Sequence, residues 1–166
     1  MAEPAVEEKL KAALSEGEQL PPVAPPGGHY LPFSCAGNLC FLSGYISRSS
    51  TDELIVGKVK DAALGAAAAR TCALGHLALL RERCGGLENV RCWHKVTVFV
   101  NAESDYPDSP TVANGYTDLI IAAFGADVGQ HARSAISVAG LPFGASVEVE
   151  AVVELVDPSL AKRLYG

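Results

Sequence analysis

Every second residue from Val147 to Leu155 is apolar, so that Val147, Val149, Ala151, Val153 and Leu155 form an unbroken row in VEVEAVVEL. A two-residue period puts that row on one face of a β-strand and leaves Glu148 and Glu150 together on the other. The chain is thereby committed to a sheet with one buried face and to two carboxylates roughly 6 to 7 Å apart along the opposite face. Just upstream, ARSAISV has the same period, with Ser134, Ile136 and Val138 on one side and Arg133, Ala135 and Ser137 on the other. This predicts Arg133 on the non-core face. Arg suits a site that grips a planar anion through two parallel hydrogen bonds, and Glu suits one that orients or deprotonates a water. The same residue types also build structural or intersubunit ion pairs, so spacing alone does not make this an enzyme.

A second strand is predicted over Val90–Val100, where Val90, Cys92, His94, Val96, Val98 and Val100 alternate with Arg91, Trp93, Lys95, Thr97 and Phe99. His94 falls in the apolar row and is expected to be a hydrogen-bonded core residue. Between the sheet segments, Val59–Arg83 is dense in Ala and closes on Cys84, Gly85 and Gly86, which predicts a helix lying close to a sheet. Pro110 suits the first turn of a further helix running to Phe124, which Gly125 terminates. Hairpin, helix, strand, helix, strand, strand is the order of an α+β layer: a mixed sheet with two helices on one face.

The landmarks along the chain resemble the RidA/YjgF family of imine and enamine deaminases. That family runs from a P/H-A-R-S segment through L-P to V-E-V-E-A, as HARSAISVAGLPFGASVEVEA does here. Tyr30, Gly37 with Asn38, and Ser43 with Gly44 match its first hairpin. LENVRCWHKVTVFVNAESDY resembles its central strand and acidic loop, and VANGYTDLIIAAFG its second helix, with Asn114 at the family's Asn. The match covers about residues 28–156 with several ordered landmarks, which makes it more specific than a single motif.

The resemblance implies a chorismate-mutase-like sheet with the last strand between the first and the central one. It also implies a closed homotrimer that covers the face carrying Lys95, Thr97, Phe99 and Glu150, with ligand sites in clefts between subunits. It implies hydrolysis of 2-imino or enamine acids to 2-oxo acids and ammonia. Arg133 would hold the substrate carboxylate, Glu148 would direct the water, and Tyr30, Ser43 and Asn114 would line the cleft. No metal or organic cofactor is required, because a protonated imine is already electrophilic. The sequence departs from the family at Ala135, where a Cys is common, and at Tyr45 and Ser47, where Gln and Pro are common. A trimer that binds small carboxylates without turnover is the alternative, and RNA cleavage is a remote third.

Composition fits one compact domain over 28–166, preceded by an arm over residues 1–27 that combines a short helix at Val6–Leu14 with a Pro- and Gly-rich linker. The net charge of −6 argues against a broad phosphate-binding surface. No apolar run approaches the ~20 residues that span a bilayer, and the acidic start MAEPAVEEKL is unlike a targeting signal, so a cytosolic location without a membrane partner is expected. Five cysteines without a secretory signal predict reduced thiols. Cys35 and Cys40 would face each other across the Gly37-Asn38 turn at a spacing where a disulfide could just form. A zinc site lacks a second Cys or His pair.

Overall fold

The computed structural model describes residues 5–23 and 25–162, so residues 1–4 and 24 of the arm lie outside the described residues. Five strands, β1 (Phe33–Ala36), β2 (Leu39–Ile46), β3 (Val90–Asn101), β4 (Ala132–Val138) and β5 (Val147–Leu155), form one sheet in the order β1-β2-β5-β3-β4. Only β3 and β4 pair in parallel, so the sheet is mixed as expected, with the last strand between the hairpin and the central strand. The helices of eight or more residues are α1 (Val6–Ala13), α2 (Ala62–Arg83) and α3 (Ser109–Phe124), and a single turn, Ala126–Gly129, follows α3.

The alternation in β5 decides which face is covered. Val147, Val149, Val153 and Leu155 are fully buried beneath the helices and Ala151 nearly so. At about 1.5–3 kcal/mol per buried aliphatic side chain, a one-residue slip would forfeit an amount comparable to the whole stability of a domain. The hairpin turns at Gly37 (φ 60°) and Asn38, whose amide donates to the carbonyl of Leu155 at 2.8 Å and ties the turn to β5. Helix α2 begins at Ala62 rather than at Val59, because the Asp61 carboxylate caps it by accepting from the Leu64 N–H, while the Val59 N–H bonds the carbonyl of Asn101 in extended chain. Where α2 meets α3, a Cβ at Gly115 would collide with the backbone of Ala66, so glycine sets how closely the two helices cross.

Strand β3 departs from its predicted alternation. Bulges against β5 between Val90 and Cys92 and between Trp93 and Lys95 each break the register. Trp93 is 1% exposed and packs edge-on against Tyr116 and Phe124, whereas His94 turns outward, half-exposed, to meet Glu154 at 3.1 Å. His94 is therefore not a core residue; the bulge exchanges the faces of the two neighbours, and burial of an indole decides the exchange.

Cys35 and Cys40 do oppose each other in the hairpin, and all five cysteines are free thiols. A hydrogen bond to Cys84 and burial push the Cys40 thiol far up, so it stays protonated. Helix α2 is long and apolar enough to cross a membrane by length and composition, contrary to the sequence expectation, but most of it is buried between the sheet and α3 as a core helix. Ahead of the hairpin, Val6 and Leu10 of α1 are buried, and Arg70 of α2 grips Glu18 through two hydrogen bonds of 2.8 and 2.7 Å while also donating to the carbonyl of Ala13. That pairing holds the Glu18 carboxyl below its ordinary range. The sheet face away from the helices carries Leu39, Phe41, Phe99, Ile136 and Val152 among Lys95, Thr97 and Glu150. Leu39, Phe41 and Ile136 are 38, 43 and 47% exposed, an apolar surface of the kind that marks an interface.

Candidate functional site

The residues singled out in the sequence fall into two groups. Arg133 lies on edge strand β4. Partners in a parallel ladder project to the same face, and Arg133 pairs with Val96, which is fully buried on the helix side. Arg133 is thus on the core side of the sheet, where β4 runs out from under α3, and not on the opposite face as its spacing predicted. Ser134, Ile136 and Val138 occupy the open face instead. The open face is itself partly apolar, so apolar residues in β4 did not identify the core side.

Helix α3 holds the guanidinium in place. Nη1 donates to Asn114 Oδ1 at 2.9 Å and to Thr117 Oγ1 at 3.0 Å, and Nη2 donates to the carbonyl of Pro110 at 3.2 Å. A guanidinium has five N–H donors, so among the described residues Nε–H and one hydrogen of Nη2 remain for a ligand. His131 closes the back of the network through 3.1 Å to Thr117 Oγ1 and 2.7 Å to the carbonyl of Gly129. Burial, and beside it the Arg133 charge, push the His131 pKa down despite the bond to Gly129. Its neutral ring leaves Arg133 as the local cation, and both border an open cleft together with Trp93 and Asn114.

The second group gathers at the other end of the sheet. Tyr30, half-exposed, and Ser43 line a cavity beside β2. The Ser43 hydroxyl donates to the carbonyl of Leu31 at 2.6 Å. Glu148 leaves β5 on the open face, opposite Phe99 and Ile46, and its side chain crosses the missing Cβ of Gly44, where β2 bulges between Leu42 and Tyr45. Partial burial, followed by the charge of Glu150 on the same face, raises the Glu148 carboxyl above its usual 4.5. The adjacent glutamates read from the sequence are therefore present and coupled.

Within one chain the two groups cannot act on one small molecule. Strand β3 separates β4 from β5, and Glu148 lies level with Phe99 and Ile136, three residues along from Arg133. Two interstrand spacings across and three residues along put the Cα atoms about 14 Å apart, with side chains on opposite faces.

The sequence reading missed three contributors. Thr117, three residues after Asn114 and so on the same face of α3, shares Arg133 Nη1 with it. His76, deep in α2, bridges Tyr116 Oη at 2.8 Å and the carbonyl of Ser43 at 3.1 Å. Burial lowers its pKa to about 4, so its ring is neutral at pH 7. A lone imidazole within an Ala- and Leu-rich helix was the available signal. The third is the arm, whose Pro22, Val23, Pro25 and Pro26 wall the Ser43 cavity.

A model of the family described as Endoribonuclease L-PSP matches residues 22–155. The chain belongs to this family, the RidA/YjgF family. It is 39% identical over 142 residues to Protein TCP17 of Trypanosoma cruzi, spanning 84% of this chain and 89% of that protein. Among solved structures it is similar to Atu1372, a protein of unknown function from Agrobacterium tumefaciens (34% identity, TM-score 0.80, 92% of this chain and 94% of that one). It also resembles a candidate endoribonuclease of Shewanella oneidensis (27%, TM-score 0.84, 92% and 100%). TdcF of E. coli, solved with bound serine, is 25% identical with a TM-score of 0.57 over 82% of this chain and 94% of its own. Residues 28–166 are 139 of the 166, too few to supply 92% coverage, so the likeness to the first two structures extends into the arm.

Proposed function

We propose that this RidA/YjgF family member hydrolyses 2-imino and enamine acids to 2-oxo acids and ammonia, in clefts completed by neighbouring copies of the chain in a homotrimer. The observation that carries the reading is the braced guanidinium of Arg133. Three hydrogen bonds to α3 fix its plane and leave a pair of N–H donors toward an open cleft, the geometry that suits a carboxylate. Fixing the plane beforehand removes the ordering cost a free Arg would bring to binding.

Glu148 is the water-directing group. Burial and the neighbouring Glu150 charge raise its pKa, which makes it a better base than an ordinary carboxylate. In the reaction it takes a proton from a water whose oxygen bonds to the imine carbon. Glu148 returns that proton to the nitrogen of the resulting carbinolamine, and as the C–N bond breaks to expel ammonia the C=O forms and the remaining O–H proton passes to Glu148. Because Arg133 and Glu148 of one chain are about 14 Å apart on opposite faces, a second copy must bring its own Glu148, Ser43 and Tyr30 to the first copy's Arg133. A C3 ring does this three times over and covers the apolar open face.

Serine in TdcF, a bound amino acid in a relative, fits the carboxylate part of this reading equally well for a trimer that binds without turnover. The ribonuclease reading, carried by the family's description, has a net charge of −6 against it. The separating experiment follows 2-aminoacrylate and 2-iminobutanoate, generated in situ and trapped with semicarbazide. Faster decay with the wild-type protein that is lost in Arg133→Ala supports the deaminase; carboxylate binding with no acceleration moves the assignment to the binding trimer.

A further inference from the structure

The Ser43 cavity is larger than the smallest imino acids need. It measures about 140 Å³ and is bounded by Ile46, Tyr45 and Leu79 from the domain and by Pro22, Val23 and Pro26 from the arm. A dry cavity of about 150 Å³ lined by aliphatic and aromatic side chains is enough to hold benzene. We infer that this cavity is the side-chain pocket of the same site and selects substrates whose side chain is one aromatic ring or a branched aliphatic group. The inference rests on the deaminase reading for its chemistry but on the cavity for its specificity.

Three observations join the cavity to that chemistry. Tyr30, Ser43 and Gly44 are part of its wall, and the Glu148 side chain lies directly against Gly44. The cavity thus adjoins the Glu148 carboxylate at Gly44 and reaches Leu79 of α2. Second, the described wall offers no net charge to a ligand. Arg48 is paired with Asp52 through Nη1, 2.9 Å to the carbonyl and 3.3 Å to the carboxylate, so that pair carries no net charge, and burial keeps His76 neutral with both nitrogens engaged. Charged side chains would be desolvated there without a partner, which favours apolar ones. Third, Phe143 borders the cavity in the left-handed region (φ 57°, ψ 15°) while 74% exposed. A bulky residue held in that region at a cavity's mouth is an unusual placement for a solvent-facing ring. A ligand ring in the cavity gives it a partner.

The described part of the arm wall is anchored. Glu18 is clamped to Arg70 four residues before Pro22, so the Pro-rich segment enters the cavity from an anchored point.

The test compares phenylpyruvate with pyruvate by calorimetry, using the full-length protein and Val23→Phe, which adds a ring to the cavity from the arm. Phenylpyruvate should bind at least tenfold more tightly than pyruvate, and Val23→Phe should remove that preference while leaving pyruvate affinity within about twofold. Equal affinities for the two oxo acids in the wild type would overturn the inference, as would equal loss of both in Val23→Phe. Leu79→Phe, filling from the opposite wall, should reproduce the loss of preference. The outcome for turnover is separate: a phenylpyruvate preference without imine hydrolysis supports the pocket and removes the deaminase, and imine hydrolysis without the preference does the reverse.

Discussion

Gly44→Ala isolates the position of one carboxylate. A Cβ built at Gly44 would lie 2.9 Å from Cδ and 3.1 Å from Cγ of Glu148, and closer still to Oε1. Ordinary carbon contact is about 3.5 Å, so Cδ must withdraw by roughly half an ångström and the carboxylate tip by more. The far end of a Glu side chain can do this by rotation, and Gly44 is not in the left-handed region, so the stability cost is that of an off-rotamer χ angle, about 1 kcal/mol. For a domain of this size that lowers Tm by about 2–4 °C. The chemical cost is much larger: a misplacement of about 1 Å at a reacting group is worth about a hundredfold in rate. Gly44→Ala should therefore reduce kcat for 2-aminoacrylate by about two orders of magnitude, with carboxylate affinity nearly unchanged, because Arg133 is on another strand. Stopped assays with semicarbazide trapping, paired with scanning calorimetry, measure both. Full turnover in a folded Gly44→Ala protein would refute the assignment of Glu148 as the water-directing group.

Arg133→Ala should lower pyruvate affinity at least tenfold by calorimetry. It removes three exposed or half-buried hydrogen bonds to α3, so the circular dichroism spectrum should be unchanged and Tm should fall by only a few degrees. Glu148→Gln should depress kcat more than affinity. Because the folded pKa of Glu148 is raised, charging it opposes folding above that pKa, and the variant should be no less stable than wild type at pH 7. In the wild type the acid limb of kcat should fall above the ordinary Glu range, and Glu150→Gln should move it to lower pH by removing the like charge. His76 has the opposite sign. Its folded pKa of about 4 lies below the ordinary 6.5, so stability is full above 6.5 and declines as pH falls toward 4, by about 3 kcal/mol; His76→Gln should flatten that part of the Tm profile.

The sheet was legible wherever an apolar row faced a covered side without interruption. Strand β5 keeps its period over Val147–Leu155, so its face and its paired glutamates follow from the sequence, as does the turn at Gly37-Asn38. The reading failed where the period is not the deciding quantity. In β3, burying Trp93 outweighs the continuity of the ladder and two bulges result, which puts His94 outside. In β4, a parallel edge strand, Ile136 and Val138 face the open side, so apolarity did not mark the core and the face of Arg133 was inverted. The landmarks grouped Tyr30, Ser43, Asn114, Arg133 and Glu148 in one cleft, whereas within one chain Asn114 lies with Arg133, and Ser43 with Tyr30, in two separate places. That separation depends on strand order, which alternation along single segments does not encode.

The central claim is that Arg133 of one copy and Glu148 of another make one site. Arg133→Ala and Glu148→Gln, each inactive alone, should regain activity when co-refolded in equal amounts. Random assembly of trimers leaves both wild-type groups together at about one site in four, so about a quarter of wild-type turnover is predicted. No recovery in mixed trimers of confirmed composition would contradict the shared site.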